Sequence, residues 1–125
     1  MINKIGKITI YVNNQDEAKE FWTKKINFIF KLEQPMGPNM NWLEVGPNKE
    51  EFTSFVIYEK QLMLNQNPEA NISHPNIILS TEDIETTYAE LKANGVELGE
   101  LIIMTYGKMF NFRDQDGNNY LVRED

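Results

Sequence analysis

The chain has 125 residues, of which 41% are hydrophobic and 25% charged, the balance of an ordinary globular domain with enough apolar residues to bury a core. A formal charge of −7, from 19 acidic against 12 basic residues, opposes phosphate backbones and anionic membrane surfaces, so neither nucleic acid nor membrane is an expected partner. The absence of cysteine excludes disulfides, thiolate nucleophiles and cysteine metal sites, and the single histidine, His74, excludes a histidine cluster within one chain.

In chain order, "KIGKITIYVNN" opens with Ile8, Ile10 and Val12 alternating with Lys7, Thr9 and Tyr11, the period of a half-buried strand. The period then changes. Across "NQDEAKEFWTKKINF", Ala18, Phe21, Trp22 and Ile26 recur at helical spacing, with Asn14 or Asp16 as a start cap and Asn27 as a left-handed stop. Three strand-like runs follow, "FIFKLEQ", "MNWLEVG" and "TSFVIYE", separated by turn-rich "PMGPN" and "GPNKEE". The segment "QLMLNQNPEANISH" has turn formers and no clear period, and reads as a connector.

The same plan then recurs. "NIILST" predicts a strand, and "EDIETTYAELKANG" predicts a helix with Ile84, Tyr88 and Leu91 on its apolar side and Gly95 as its stop. "VELGELIIM", "KMFNFRD" and "NNYLVRE" supply three more strands, the last two joined at Asp116-Gly117. "DQDGNN" lacks the full ligand pattern of a calcium loop and reads as a turn. Strand, helix and three strands therefore occur twice, an internal duplication in which the offset pairing Asp16 with Asp83 also pairs Ile10 with Ile77 and Phe21 with Tyr88. No apolar run reaches signal-peptide or membrane-spanning length, so a cytoplasmic location is expected.

The ordered set "VNNQDEAKEFWTKKINF", "MNWLEVGP", "TEDIETTYAELKANGVEL" and "YGKMFNFRDQDGNNYLVRE" spans nearly the whole chain and resembles the vicinal oxygen chelate superfamily, which includes glyoxalase I, bleomycin-resistance proteins and extradiol dioxygenases. The resemblance implies an α+β fold of two tandem βαβββ modules curled into a cup with helices outside. Module one spans about 1–60, a connector about 61–74 and module two about 75–125, as a single domain over 1–125.

Metal-dependent members of that family hold a divalent ion with a histidine or glutamine on the first strand, a carboxylate or histidine on the fourth, a histidine on the fifth and a glutamate on the eighth. The ion polarises substrate oxygens as a Lewis acid. Carried over, these positions fall on Lys7, within Ser54 to Val56, on Asn76 and on Leu121, none of which is a good ligand for such an ion. His74 lies two residues before Asn76 and is the one alternative ligand, while strand alternation turns Glu124 away from the Leu121 face. No metal or other cofactor is expected.

Alternation also proposes a cup lining of Lys7, Thr9, Tyr11, Trp42, Glu44, Asn76, Asn111, Leu121 and Arg123. A few polar groups among apolar walls suit a small molecule, although a solvated sheet face reads the same way. Lys7 and Arg123 are candidates to hold an anionic group. Glu44 is a candidate general base, provided that desolvation raises its pKa. The leading expectation is a metal-independent binder of a small organic molecule, as in bleomycin-resistance proteins. A metal-dependent lyase or isomerase of glyoxalase type, or a protein-interaction module with an unused cup, are the alternatives. Uncovered strand edges lead us to expect a homodimer.

Overall fold

A computed structural model describes all residues, 1–125. It divides into two compact units, Met1–His74 and Pro75–Asp125. Each is an open, mixed sheet of the α+β class carrying one principal helix, and each joins its first and last strands in parallel.

In the first unit the strands are β1 (Lys7–Val12), β2 (Ile29–Pro35), β3 (Asn41–Gly46) and β4 (Ser54–Glu59), in the order β1-β4-β3-β2. Ile10 and Val12 of β1, Leu43 and Val45 of β3, and Phe55 and Ile57 of β4 are buried, which is the apolar half of each alternation. α1 (Gln15–Glu20) is capped by Asn14, whose side chain accepts from the Glu17 backbone N–H, and Asn27 takes a positive φ of 64° after the helical segment. The helix predicted as continuous widens over Phe21–Lys25 into a π turn closed by Ile26 N–H on the Phe21 carbonyl at 3.2 Å. The wider turn buries both neighbours, Phe21 and Trp22. Trp22 then meets Phe28 and Phe55 with ring centroids 5.1 and 5.3 Å away.

The stretch read as a connector begins with a helix, α2 (Lys60–Gln66). Its seven residues bury no side chain completely, so no apolar stripe marks it in the sequence. What secures it is the Tyr58 hydroxyl at the end of β4, which donates to Gln66 Oε1 at 2.8 Å.

In the second unit the strands are β5 (Ile78–Thr81), β6 (Glu97–Leu98), β7 (Ile102–Met104), β8 (Gly107–Arg113) and β9 (Asn119–Glu124), with β5-β9-β8-β6 as the path and β7 also on β8. The run "VELGELIIM", predicted as one strand, is two, because Gly99 turns its carbonyl to the Tyr88 hydroxyl at 2.9 Å. α3 (Ile84–Ala93) starts at an Asp83 cap, buries Ile84 and Leu91, and ends before Gly95 at φ 80°. The Ile84 N–H also donates to Glu124 Oε2 at 2.9 Å, so Glu124 serves the helix start.

The β8–β9 turn is built on Asp114, a buried carboxylate. Its Oδ1 accepts the backbone N–H groups of Asp116 and Asn118 at 2.9 Å each, and its Oδ2 accepts the Tyr120 hydroxyl at 2.7 Å and the Asn118 amide at 3.1 Å. Burial, then the Asp114 charge beside it, pushes the Tyr120 phenol far above its ordinary pKa. Asp114→Ala is expected to cost about 3 kcal/mol, since several buried donors lose their acceptor, and Tyr120→Phe about 1 kcal/mol. Urea unfolding of the two variants checks the order; equal costs would mean that the Tyr120–Asp114 hydrogen bond alone accounts for the contribution of Asp114.

Candidate functional site

The face of the first sheet turned away from α1 is organised in rows. One row runs Thr9, Val56, Glu44 and Leu32 across four strands, and a second pairs Tyr11 with Tyr58 and Trp42 with Gln34. In the second row the rings touch: Tyr11 and Tyr58 are 6.2 Å apart at 74°, and Tyr58 and Trp42 are 6.5 Å apart at 81°. All three rings are half-buried, and edge-to-face contact is the favoured geometry for such pairs.

Glu44 stands in the other row at 5% exposure. A carboxylate that far from water must be met by donors. It has three: Lys7 Nζ at 2.9 Å and Ser54 Oγ at 2.8 Å on Oε1, and Trp42 Nε1 at 2.7 Å on Oε2. Burial pushes the Glu44 pKa up, but the hydrogen bonds from Trp42, Lys7 and Ser54 together outweigh it and hold the group below the ordinary glutamate value of 4.5. The condition set for a general base, a raised pKa, is therefore not met, and Glu44 is a fixed anion with its oxygens engaged.

On the corresponding face of the second sheet, Ile78, Leu121 and Asn111 lie in one row and Ser80, Arg123, Met109 and Ile102 in the next. Asn76 is exposed and precedes β5. The structure thus groups Lys7, Thr9, Tyr11, Trp42 and Glu44 on one sheet and Asn111, Leu121 and Arg123 on the other, with Asn76 outside the ladder.

The family's metal positions do not fit a divalent ion here. Lys7 presents an ammonium committed to Glu44, Ser54 spends its hydroxyl proton on the same oxygen, and Val56 and Leu121 are hydrocarbon. His74 is half-buried before Pro75, short of the strand that starts at Ile78. Asp83, Glu85 and Glu124 bring carboxylates within 4.8 Å of one another, but Lys108 Nζ sits at 3.1 Å from Glu85 and 3.7 Å from Glu124, and Asp83 caps α3.

The sequence reading placed Ser54 at a family metal position but missed that it holds Glu44, and it missed Gln15 altogether. Gln15 donates its amide to the carbonyls of Asn41 and Ile57, both at 2.9 Å, and ties the start of α1 to the aromatic end of the sheet.

Residues 4–120 match the family model of the Glyoxalase/Bleomycin resistance protein/Dioxygenase superfamily. Uncharacterized protein YetH of Bacillus subtilis (strain 168) is 42% identical over 125 residues, covering 99% of this chain and 100% of that protein. Uncharacterized protein YurT of the same strain is 29% identical over 114 residues, covering 82% of this chain and 89% of its own. Among solved structures, TnmS3, an antibiotic binding protein from Streptomyces sp. CB03234, superposes with a TM-score of 0.81 at 26% identity, covering 98% of this chain and 96% of its own.

A glutamate whose folded pKa is depressed stabilises the fold above its unfolded pKa, and that contribution fades as pH falls through the folded value. Wild-type stability is therefore expected to drop as pH is lowered below about 4.5, and Glu44→Gln is expected to flatten that part of the profile. At pH 7 the same substitution should cost about 2 kcal/mol, since hydrogen bonds to a charged group are lost. Urea titrations between pH 3 and 7 test both; parallel profiles for the two proteins would mean that Glu44 is not the group titrating.

Proposed function

Because the chain belongs to the glyoxalase, bleomycin resistance protein and dioxygenase superfamily, we propose that it binds a small organic molecule with a planar ring system, without a metal, on the sheet face of its first unit. The observation that carries this reading is the row Tyr11–Tyr58–Trp42, three half-buried rings in edge-to-face contact across three strands. Half-buried aromatic surface beside a few fixed polar groups suits a flat ligand. The Trp42 indole nitrogen is tied to Glu44 and the Tyr58 hydroxyl to Gln66, so a ligand meets rings that are already placed. The likeness to TnmS3, an antibiotic binding protein, supports a binding role of this kind. Lys7, half-exposed beside Glu44, is the polar group best placed to orient the ligand.

We further propose that the protein works in the cytoplasm as a homodimer. No helix of the structure is long and apolar enough to cross a membrane. β2 is a sheet edge, and Phe30 within it and Met36 just beyond it are 47% and 48% exposed, apolar surface that a second copy would cover.

A thermal-shift screen of planar aromatic compounds, followed by calorimetry of the best one, tests the reading, since a ligand for the native state raises its stability by mass action. Trp42→Ala is expected to weaken the ligand roughly tenfold or more, as loss of a central aromatic anchor does, and a chelator is expected to leave the affinity unchanged. Equal affinity in wild type, Trp42→Ala and Tyr58→Ala, or loss of binding on chelation, would contradict it.

A further inference from the structure

The negative charge is not shared evenly along the chain. Of its seven net negative charges, six belong to the second unit, where ten acidic residues outnumber four basic ones. The first unit, with nine against eight, is close to neutral. An asymmetry of this kind decides what can approach each unit. The second repels another like itself and attracts a cation.

The same unit has an open sheet edge. β7 pairs with β8 alone, and no other backbone group bonds its outer side. In an antiparallel pair alternate residues turn their N–H and C=O groups away from the partner, so this side offers donors and acceptors to a further strand. Its side chains are apolar and bare on both faces. Ile102 and Met104 are 40% and 46% exposed on one, and Ile103 is 62% exposed on the other. Tyr106, at the hairpin tip, is more exposed still. β7 also lacks the usual guards against strand addition, having no charged residue, no proline and no slip in register. β2, the outer edge of the first sheet, has all three: Lys31 and Glu33, Pro35 at its end, and a register shift between Phe30 and Leu32. A second copy at β2 therefore meets side chains rather than open backbone.

We propose that β7 is a docking edge for a partner protein: an extended segment of β-branched residues, with lysine or arginine at its ends, adds to it as a further strand. In this mode backbone hydrogen bonds supply the affinity and alternate side chains the choice of sequence. The basic ends follow from the charge of the unit and from Glu97 and Glu100, both exposed just before β7. Lys108, opposite Ile103, is already paired with Glu85 and Glu124 and does not offset them. A second copy pairing β7 with β7 would bring two units of six net negative charges together, which disfavours it. The edge is made of other residues than the aromatic row and does not depend on that row binding anything.

The test uses the full chain, ¹⁵N-labelled, titrated at low salt with the peptide Lys-Thr-Val-Thr-Val-Thr-Lys while the backbone amides of β7 are followed. Two control peptides accompany it, one with glutamate at both ends and one N-methylated at every internal residue. The basic peptide is expected to shift the Leu101 to Met104 amides saturably and to bind roughly tenfold or more tightly than the glutamate-ended one. N-methylation keeps the charges and side chains but removes the backbone donors, and is expected to abolish the shift. Ile103→Lys, at an exposed position that the fold does not need, puts a charge on the edge and is expected to weaken the basic peptide roughly tenfold or more. No saturable shift at these amides, equal affinity for the two charge forms, or affinity unchanged by N-methylation or by Ile103→Lys would each overturn the proposal. Shifts in the same amides that grow with protein concentration alone would overturn it in favour of a second copy. Movement of the Trp42 indole resonance alone would overturn it while leaving the aromatic row as the binding surface.

Discussion

A carboxylate at 5% exposure has to be surrounded by donors, and the first sheet is arranged so that Glu44 is. The three donors come from three of its four strands: Lys7 from β1, Ser54 from β4, and Trp42 from β3 itself. This requires β1 to run parallel to β4, which brings Lys7 level with Ser54, and β3 to run antiparallel to β4, which sets Glu44 opposite Val56. Strand order, direction and register are all constrained by one buried charge. Removing one partner of such a group leaves an uncompensated charge, so the arrangement specifies the face more than it strengthens the fold.

The constraint passes outward to the aromatic row. Trp42 spends its indole N–H on Glu44, which fixes the plane of its ring, and that ring meets Tyr58 at 81°. Tyr58 in turn reaches Gln66, securing α2, while Gln15 binds the carbonyls of Asn41 and Ile57 beside it. A ligand on these rings finds them already ordered and pays less of the entropy of immobilising side chains. The second sheet repeats the strand plan with Asn111 across from Leu121, where the first has Glu44 across from Val56. The buried carboxylate of the second unit, Asp114, instead stands at the β8–β9 turn, where it collects its donors from the turn itself and from Tyr120.

Much of the fold was legible because local rules decide it. The alternation of Ile10 and Val12, of Phe110 and Phe112, and of Tyr120 and Val122 named the buried faces correctly, and Asn14, Asn27, Gly95 and Gly117 marked caps and turns where the backbone needs them. The π turn at Phe21, the short α2 and the break at Gly99 were not legible. Each depends on tertiary partners: the aromatic core around Trp22, the Tyr58 hydroxyl and the Tyr88 hydroxyl. Strand alternation also placed Glu44 on the sheet face, but its protonation could not follow from burial alone. Two of the donors that decide it lie 37 and 10 residues away, and only the register reveals them.

The most direct test of this organisation is the titration of the Glu44 side-chain carboxyl carbon by ¹³C NMR in the otherwise unmodified chain. A single step below the ordinary value of 4.5 is expected, and it should move upward in Lys7→Met. A step near neutral pH would mean that burial outweighs the three donors. Glu44 would then be a proton acceptor rather than a fixed anion, and the sheet face would have to be read as a catalytic surface.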